Sequence, residues 1–413
     1  MNRARQFFAS VPIEDYVIPF LLLLLVFSTN NRLILIMKPA SFLMISVALF
    51  LSFVSKRSFS NGSPLKYLFC GFVFLIGFSF TYTGDRSAFK DYFPYIIAAL
   101  VIVLFEFDNY YHVIFYKLLN LFFWVFIASM YLELLNPGLF ESVFSFLSLG
   151  KNLVVRSIDG KAIAGLAFEK ADAAFLCNLG LGVLFAKFFT RGLKLKYIIQ
   201  LGIVFGALMM TGKRTLFLIP LVSIFAFALF FSRSHRVAKA MAVLLAVFAS
   251  LTVAYTFIPQ VSLVFERFLA DNGDPLSGRE VFWTYAMEMF RRSPLLGEGF
   301  LSFNSYVNSR GFLYYGEPWR FQAHNVYLQL LAELGLIGLL LFIGMLTILI
   351  FGLGRSAKKE PNIFNLSAFY WAVLIAIYST TGNTIYYACQ LMVFAVVIDI
   401  YLKYVRPWES YSK

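Results

Sequence analysis

Leu336-Ile337-Gly338-Leu339-Leu340-Leu341-Phe342-Ile343-Gly344-Met345-Leu346-Thr347-Ile348-Leu349-Ile350-Phe351-Gly352-Leu353 runs without a single charge and is apolar on every face. A helix of that length rises about 27 Å, close to the ~30 Å hydrocarbon core of a bilayer. Comparable runs of about 17 to 25 residues recur along the chain, as membrane-crossing helices require. The 413 residues are 60% hydrophobic and 14% charged, with 50 phenylalanines, and mean hydropathy is +0.76. A water-soluble globular fold is excluded by that balance. An outer-membrane barrel is excluded because its strands would alternate over about ten residues, which these runs do not. The sequence therefore predicts an all-α polytopic membrane protein.

Hydropathy read with turn and charge breaks gives about twelve spans. Two lie within Tyr16 to Val54, with the hairpin at Thr29-Asn30-Asn31-Arg32 or at Lys38-Pro39. The others run approximately from 67 to 83, 93 to 106, 113 to 135, 173 to 189, 197 to 211, 215 to 231, 241 to 258, 325 to 351, 364 to 381 and 385 to 402. Met1 to Ser10 carries Arg3 and Arg5 with no small-residue cleavage site after the first apolar stretch, so that stretch reads as a retained helix. Cys70, Cys177 and Cys389 lack metal-type spacing and read as small core residues.

The net charge of +13 is spread over many short loops, which argues against nucleic acid and for a topology signal. One side collects Arg3 and Arg5; Lys56, Arg57 and Lys66; Arg191, Lys194 and Lys196; Arg233, Arg236 and Lys239; Arg355, Lys358 and Lys359; and Lys403, Arg406 and Lys413. The positive-inside rule makes that side cytoplasmic, with both termini inside. Two longer segments are then exported, near 136–172 and 259–323. The expected organisation is residues 1–258 with nine spans and a smaller exported loop, 259–323 as a large exported loop, and 324–413 with three spans and a cytoplasmic tail.

The second exported loop has internal structure. Ser277-Gly278-Arg279-Glu280 has the S-x-x-E form of a helix-capping box and Pro294 closes the segment, predicting an amphipathic helix from about 278 to 292. Val281, Phe282, Tyr285, Met289 and Phe290 form its apolar stripe, facing the membrane surface or the spans. Arg279 and Trp283 stand together at i and i+4. Gly297 and Gly299 follow, then Phe312, Tyr314, Tyr315 and Trp319, then His324 at the mouth of the tenth span.

Only His112, His235 and His324 occur. The first two fall in or near cytoplasmic loops, where a solvated structural role is the default. His324 opens a span from the outer face, and an imidazole there can take a proton from a hydroxyl nucleophile. On that residue alone, an interfacial side chain hydrogen-bonded to a neighbouring loop is the simpler reading. Arg214, after Gly212-Lys213, starts the eighth span at the outer membrane edge, where a lipid-linked phosphate would lie and a guanidinium would grip it with paired hydrogen bonds. Snorkelling to headgroups is the alternative. Arg279 shares the phosphate argument against a surface ion pair, and Arg291, Arg292, Arg310 and Arg320 are lesser members of the same basic loop. No P-loop, G-x-G-x-x-G turn, H-E-x-x-H helix or serine elbow occurs, which disfavours nucleotide-driven chemistry. The outward acids Asp159, Glu169, Asp172, Asp271, Asp274, Glu280 and Glu298 contain no D-x-D pair, so no metal is expected.

Gln322-Ala323-His324-Asn325, followed by Leu328, Glu333, Gly335 and Gly338, resembles the signature of the bacterial O-antigen ligase and polymerase superfamily. Three other features stand in that family's order: Thr211-Gly212-Lys213-Arg214-Thr215 at a span start, Arg279 and Trp283 as R-x-x-x-W, and Pro294, Gly297 and Gly299 as P-x-x-G-x-G. The resemblance covers 211 to 338, and the N-terminal half matches mainly in topology. It implies the architecture of a C-type integral-membrane glycosyltransferase of the bacterial inner membrane, working on the periplasmic side without cofactor, nucleotide sugar or metal. Its implied partners are an undecaprenyl-diphosphate-linked oligosaccharide, an acceptor glycan or lipid A-core, membrane lipids and a chain-length regulator protein. Carried over, His324 is the base, Arg214 and Arg279 hold the diphosphate, and Lys213, Asn325, Trp283 and Arg320 are secondary site residues.

Two departures stand out. Relatives carry an Arg, a Gly and then Pro-Asn in the first exported loop, whereas this chain has Arg156 to Gly165 and then Glu169-Lys170-Ala171-Asp172. Glu333, nine residues after His324, falls near the opposite face of one helix and cannot readily orient the histidine. It therefore reads as a packing or partner-helix residue, and Gly335 and Gly338 as sites of close helix contact. Within the family, Gly-Lys-Arg-Thr at 212 to 215 favours a polymerase over a ligase. A polysaccharide flippase is the reading from another class, but transporters gather charge at the midplane and often repeat their halves, and neither feature is found here.

Overall fold

The computed structural model describes residues 14–27, 34–55, 63–83, 86–105, 109–147, 162–167, 169–192, 194–231, scattered positions between 238 and 256, 279–312 and 321–405. Among them are fourteen α-helices. They are α1 (Glu14–Phe27), α2 (Ile34–Ser55), α3 (Pro64–Ser79), α4 (Arg86–Leu104), α5 (Asn109–Leu135), α6 (Pro137–Phe144) and α7 (Lys170–Arg191). The remainder are α8 (Leu195–Met210), α9 (Arg214–Phe231), α10 (Arg279–Arg292), α11 (Ser302–Ser309), α12 (Val326–Lys359), α13 (Ile363–Tyr378) and α14 (Ala388–Tyr404). Helices α5, α7 and α12 are long and apolar enough to cross a membrane. A helix suits that medium because it satisfies its backbone groups internally.

A helix lies at the position of each predicted span except the ninth, 241 to 258, which is described only at scattered positions, each of them helical, while α6, α10 and α11 lie outside the predicted spans. Of the two places left open for the first hairpin, Lys38-Pro39 is ruled out because both residues lie inside α2, and Thr29 to Arg32 lie outside the described residues. The predicted cap residues Ser277 and Gly278, and His235, Arg156, Tyr314, Tyr315, Trp319 and Arg320, lie outside the described residues.

The chain forms two compact units. The first comprises Met1–Phe59, Phe105–Ala270 and Ser356–Tyr370. Its centre is α7, whose residues from Asp172 to Ala186 are all buried, packed against α5, α8 and α9. The buried Asn178 is fully paired. Asn178 gives its amide hydrogens to the carbonyls of Ala174 and Leu216, each at 2.9 Å, and accepts the Tyr370 hydroxyl at 2.6 Å. His112 corrects the expectation of a solvated loop residue: it is fully buried in the first turn of α5, edge-on to Tyr111 and Phe364. Hydropathy put it outside a span because the α5 helix begins four residues before the apolar run does.

The segment 162–167 returns to this unit through Glu133 on α5. Its Oε2 accepts the amides of Ala164 and Gly165 at 3.2 and 2.7 Å, and the Ile163 amide donates to the Met210 carbonyl at 3.0 Å.

The second unit comprises Ser60–Leu104, Asp271–Arg355 and Trp371–Lys413. Here α14 packs on α4, and α3 also packs on α4. The turn from Pro294 to Leu301 is set into this unit by its aromatic anchor, Phe300. That side chain is fully buried, stacks on Tyr386 with ring centroids 5.2 Å apart, and meets Tyr92. Burying such a ring contributes roughly 1.5–3 kcal/mol. Its amide donates to Ser79 Oγ at 3.0 Å, and the Tyr82 hydroxyl donates to the Leu296 carbonyl at 2.9 Å, tying the turn to the end of α3.

Candidate functional site: a histidine between a broken helix and a loop

Helix α12 is broken at Gly335, whose φ of 63° and ψ of −163° are non-helical. A break deprives carbonyls before it and amides after it of intrahelical partners. The Pro294–Gly299 turn supplies them. Glu298 and Gly299 donate their amides to the carbonyls of Ala332 and Glu333 at 3.0 and 2.8 Å, and Leu336 and Ile337 donate to those of Pro294 and Leu295 at 2.9 and 3.3 Å. So close an approach needs two glycines. A Cβ on Gly297 would strike the Glu333 backbone, and one on Gly335 would strike the Leu295 backbone. This corrects the sequence reading of Gly335 as a helix–helix contact: its neighbour is a loop, and the P-x-x-G-x-G and E-x-G patterns are two halves of one joint. A Cβ at Gly338 would meet Leu334 of its own helix, so that glycine too serves the local bend.

Glu333 locks the joint. It is fully buried, and its two oxygens accept from the Leu301 amide (3.0 Å), the Tyr386 hydroxyl (2.8 Å), the Phe303 amide (3.2 Å) and Gln329 Nε2 (3.1 Å). The helical-wheel reading gave it a packing role. The wheel did not apply, because His324 precedes the helix, which starts at Val326. Glu333 still reaches the histidine segment through Gln329, whose Oε1 accepts the Ala323 amide at 3.1 Å.

The predicted amphipathic helix is α10, Arg279–Arg292. Its inward residues are Phe282, Tyr285, Ala286 and Met289, packed with Phe303, Tyr306 and Val307 of α11 and with Ala323, Leu328 and Ala332. Val281, expected in that stripe, is exposed. Beyond the helix, Glu298 pairs with Arg292 at 3.0 Å. Partial burial raises the Glu298 carboxyl above its ordinary value, with the Arg292 charge opposing.

These elements converge on His324. Trp283 Nε1 donates to the Ala323 carbonyl at 3.0 Å. On the other side, Asn325 Oδ1 accepts the Leu328 amide at 3.2 Å and caps α12. Between two fixed neighbours, His324 takes a left-handed φ of 51° and is exposed. A non-glycine residue in that region is held there by its surroundings, and such residues cluster at functional sites. The turn after α13 completes the group: Asn383 Nδ2 lies 3.2 Å from His324 Nδ1, and Arg279 Nη1 donates to the Thr381 carbonyl at 3.5 Å. His324, Asn325, Arg279 and Trp283 are thus brought together as one cluster.

Lys213 and Arg214 belong to the first unit. Gly212, with φ of 65°, makes the turn after α8, and exposed Arg214 opens α9. The Ile163–Met210 bond sets the segment 162–167 beside this turn.

Sequence reasoning missed Asn383 and Thr381, which stand 59 and 102 residues from their partners His324 and Arg279. It also missed the locking role of Glu333, for which the break at Gly335 was the available signal. No curated protein matches the chain. The profile of the O-antigen ligase family matches residues 199–343, a stretch that takes in Arg214, α10, the glycine joint and His324, and over it the chain is similar to the O-antigen ligase and polymerase superfamily.

Proposed function

We propose that this protein is a metal-independent glycosyltransferase of the bacterial inner membrane that extends O-antigen by joining repeat units carried on undecaprenyl diphosphate. The observation that carries this reading is His324: an exposed imidazole on a left-handed backbone, braced by Trp283 and Asn325, with a guanidinium, Arg279, on the same turn of chain that meets it. The match of residues 199–343 to the O-antigen ligase profile supports an O-antigen ligase or polymerase type of activity.

In this account His324 takes the proton of an acceptor sugar hydroxyl as its oxygen attacks the anomeric carbon of the donor. The bond from that carbon to the diphosphate breaks, and the diphosphate leaves with the electron pair, so direct displacement inverts the anomeric centre. Arg279, and Arg214 from its sequence position, are assigned to the diphosphate, whose growing charge fixed cations stabilise in a water-poor site. Lys213 and Arg320 are assigned to the same basic surroundings, and a chain-length regulator to the partners. About twelve spans, cytoplasmic termini and a periplasmic 259–323 loop complete the proposal, on the distribution of basic residues.

Transfer of finished chains to lipid A-core, a ligase activity, is the second reading, favoured by the description of the matching family. The two differ in acceptor, which the lipopolysaccharide ladder reports. A strain lacking the gene should show core bearing a single repeat. Wild-type protein should restore the ladder, and His324→Ala or Arg214→Ala at matched membrane levels should not. Bare core with lipid-linked long chains retained identifies a ligase. Full restoration by both variants overturns the assignment and returns the flippase.

A further inference from the structure

The mechanism above asks His324 to present a bare ring nitrogen to a hydroxyl, which requires the other nitrogen to carry the hydrogen and something to hold it. Asn383 is the side chain at that other nitrogen, 3.2 Å from Nδ1. It is itself 2% exposed, and its neighbours fix it: Ser379 Oγ and Thr384 Oγ1 are 2.6 Å apart, and the Val326 amide donates to the Ser379 carbonyl at 2.8 Å. The Tyr327 hydroxyl, at 2.8 Å from the Ala376 carbonyl, pins the same end of α13 to the start of α12. The histidine and the asparagine thus ride on one braced junction.

The carboxamide can meet the ring in two ways, since its oxygen and nitrogen ends are sterically equivalent. With the nitrogen toward the ring, Nδ1 must be the acceptor, the neutral ring carries its hydrogen on Nε2, and Asn383 Oδ1 is left buried without a partner. Gln322 Oε1 and Thr381 Oγ1, two residues before His324 and Asn383 respectively, are also buried without partners. Turning the amide over presents Oδ1 to Nδ1–H. It also ends the case of a buried acceptor facing away from the ring with no partner.

We propose, on the footing of the glycosyltransferase reading, that Asn383 is the positioning residue of the reaction: its side-chain oxygen accepts Nδ1–H of His324 and holds the ring with Nε2 as the proton acceptor. The acceptor hydroxyl's proton passes to Nε2, its oxygen bonds to the anomeric carbon, the diphosphate departs with the bonding pair, and the imidazolium so formed keeps its Nδ1–H on Asn383. His324 makes this contact from a left-handed backbone, φ 51°. The charged and titratable groups whose bonds reach this junction include Arg279 on α10, Tyr327 and Glu333 on α12, and Tyr386 on the short 3-10 helix Thr384–Tyr386.

Two readouts test this, one of them independent of activity. In full-length protein labelled with 15N-histidine, three histidines give three pairs of ring nitrogens, and the pair lost in His324→Ala is assigned. Near neutral pH the expected pair is a protonated Nδ1 and a bare Nε2. The opposite tautomer means that the amide donates, and overturns the proposal. The second readout is transfer from the lipid-linked oligosaccharide extracted from a strain lacking the gene. Asn383→Ala should lower kcat about 10²-fold, within the range of general-base catalysis, with KM little changed. Asn383→Asp should keep substantial activity and move the acid limb of the kcat profile upward by about one unit or more, because a carboxylate at Nδ1 favours the imidazolium. If Asn383→Asp is as inactive as Asn383→Ala, or its acid limb stays in place, Asn383 is structural only. Wild-type protein that shows the expected tautomer but transfers nothing sinks the glycosyltransferase reading instead.

Discussion

Gly335→Ala is expected to unfold the joint between α12 and the 294–301 turn. The position combines φ of 63° with ψ of −163°, a region that only glycine enters cheaply, and a methyl there would overlap the Leu295 backbone. The strain costs about 1–3 kcal/mol, and forcing two backbones apart costs roughly another 1–3 kcal/mol. Neither cost can be relieved by rotating a side chain. Alanine would also tend to continue the helix, withdrawing the carbonyls of Ala332 and Glu333 from the amides of Glu298 and Gly299. Against a total stability of about 5–15 kcal/mol for a domain, the loss is large. Thermal unfolding in detergent should show a much lower midpoint, and protease should cut the 294–301 turn. An unchanged melting curve would contradict the geometry of the joint.

Glu333→Ala should be nearly as damaging for a different reason. The substitution removes no bulk that α12 needs as a helix, but it strands four donors: the amides of Leu301 and Phe303, Gln329 Nε2 and the Tyr386 hydroxyl. A buried donor left without a partner costs about 1–3 kcal/mol, so about 4 kcal/mol or more is expected before relaxation. Glu333→Gln should fall between the two, since one end of the amide still accepts while the other sets N–H groups against donors. The order wild type, Gln, Ala in melting temperature is the expected result. Equal stability of Ala and wild type would mean that the four bonds contribute nothing. Because Gln329 links Glu333 to the Ala323 amide, the Gln variant should also slow transfer by more than its stability loss explains.

Much of this was legible in the sequence, for physical reasons that can be named. The run from Leu336 to Leu353 is long, uncharged and apolar all round, and only a buried or bilayer helix satisfies that pattern. Helix α10 was legible because the apolar residues from Phe282 to Met289 keep helical spacing and Pro294 stops the run. His324 was legible because histidine is rare in this chain and stands at a span mouth beside a capping asparagine.

What was not legible depends on backbone state or on distant pairing. A helical wheel from His324 to Glu333 assumes one helix, but the histidine lies outside it and the helix breaks at Gly335. Gly335 and Gly338 were therefore read as helix contacts, when Gly335 admits a loop and Gly338 serves the bend. Asn383, in Thr380-Thr381-Gly382-Asn383-Thr384, looks like any turn, since nothing local marks it as the partner of a histidine 59 residues away. His112 was misjudged because charge and hydropathy locate loops only to within a turn or so of helix.

The most direct measurement is the rate at which purified protein moves glycan from the extracted lipid-linked donor to an acceptor, with no nucleotide sugar and no added metal, for wild type and for His324→Ala. Wild type should transfer, and His324→Ala, melting at the same temperature, should be slower by about 10³-fold, as loss of a general base predicts. A His324→Ala protein that transfers at the wild-type rate would remove the histidine from the chemistry and contradict the account.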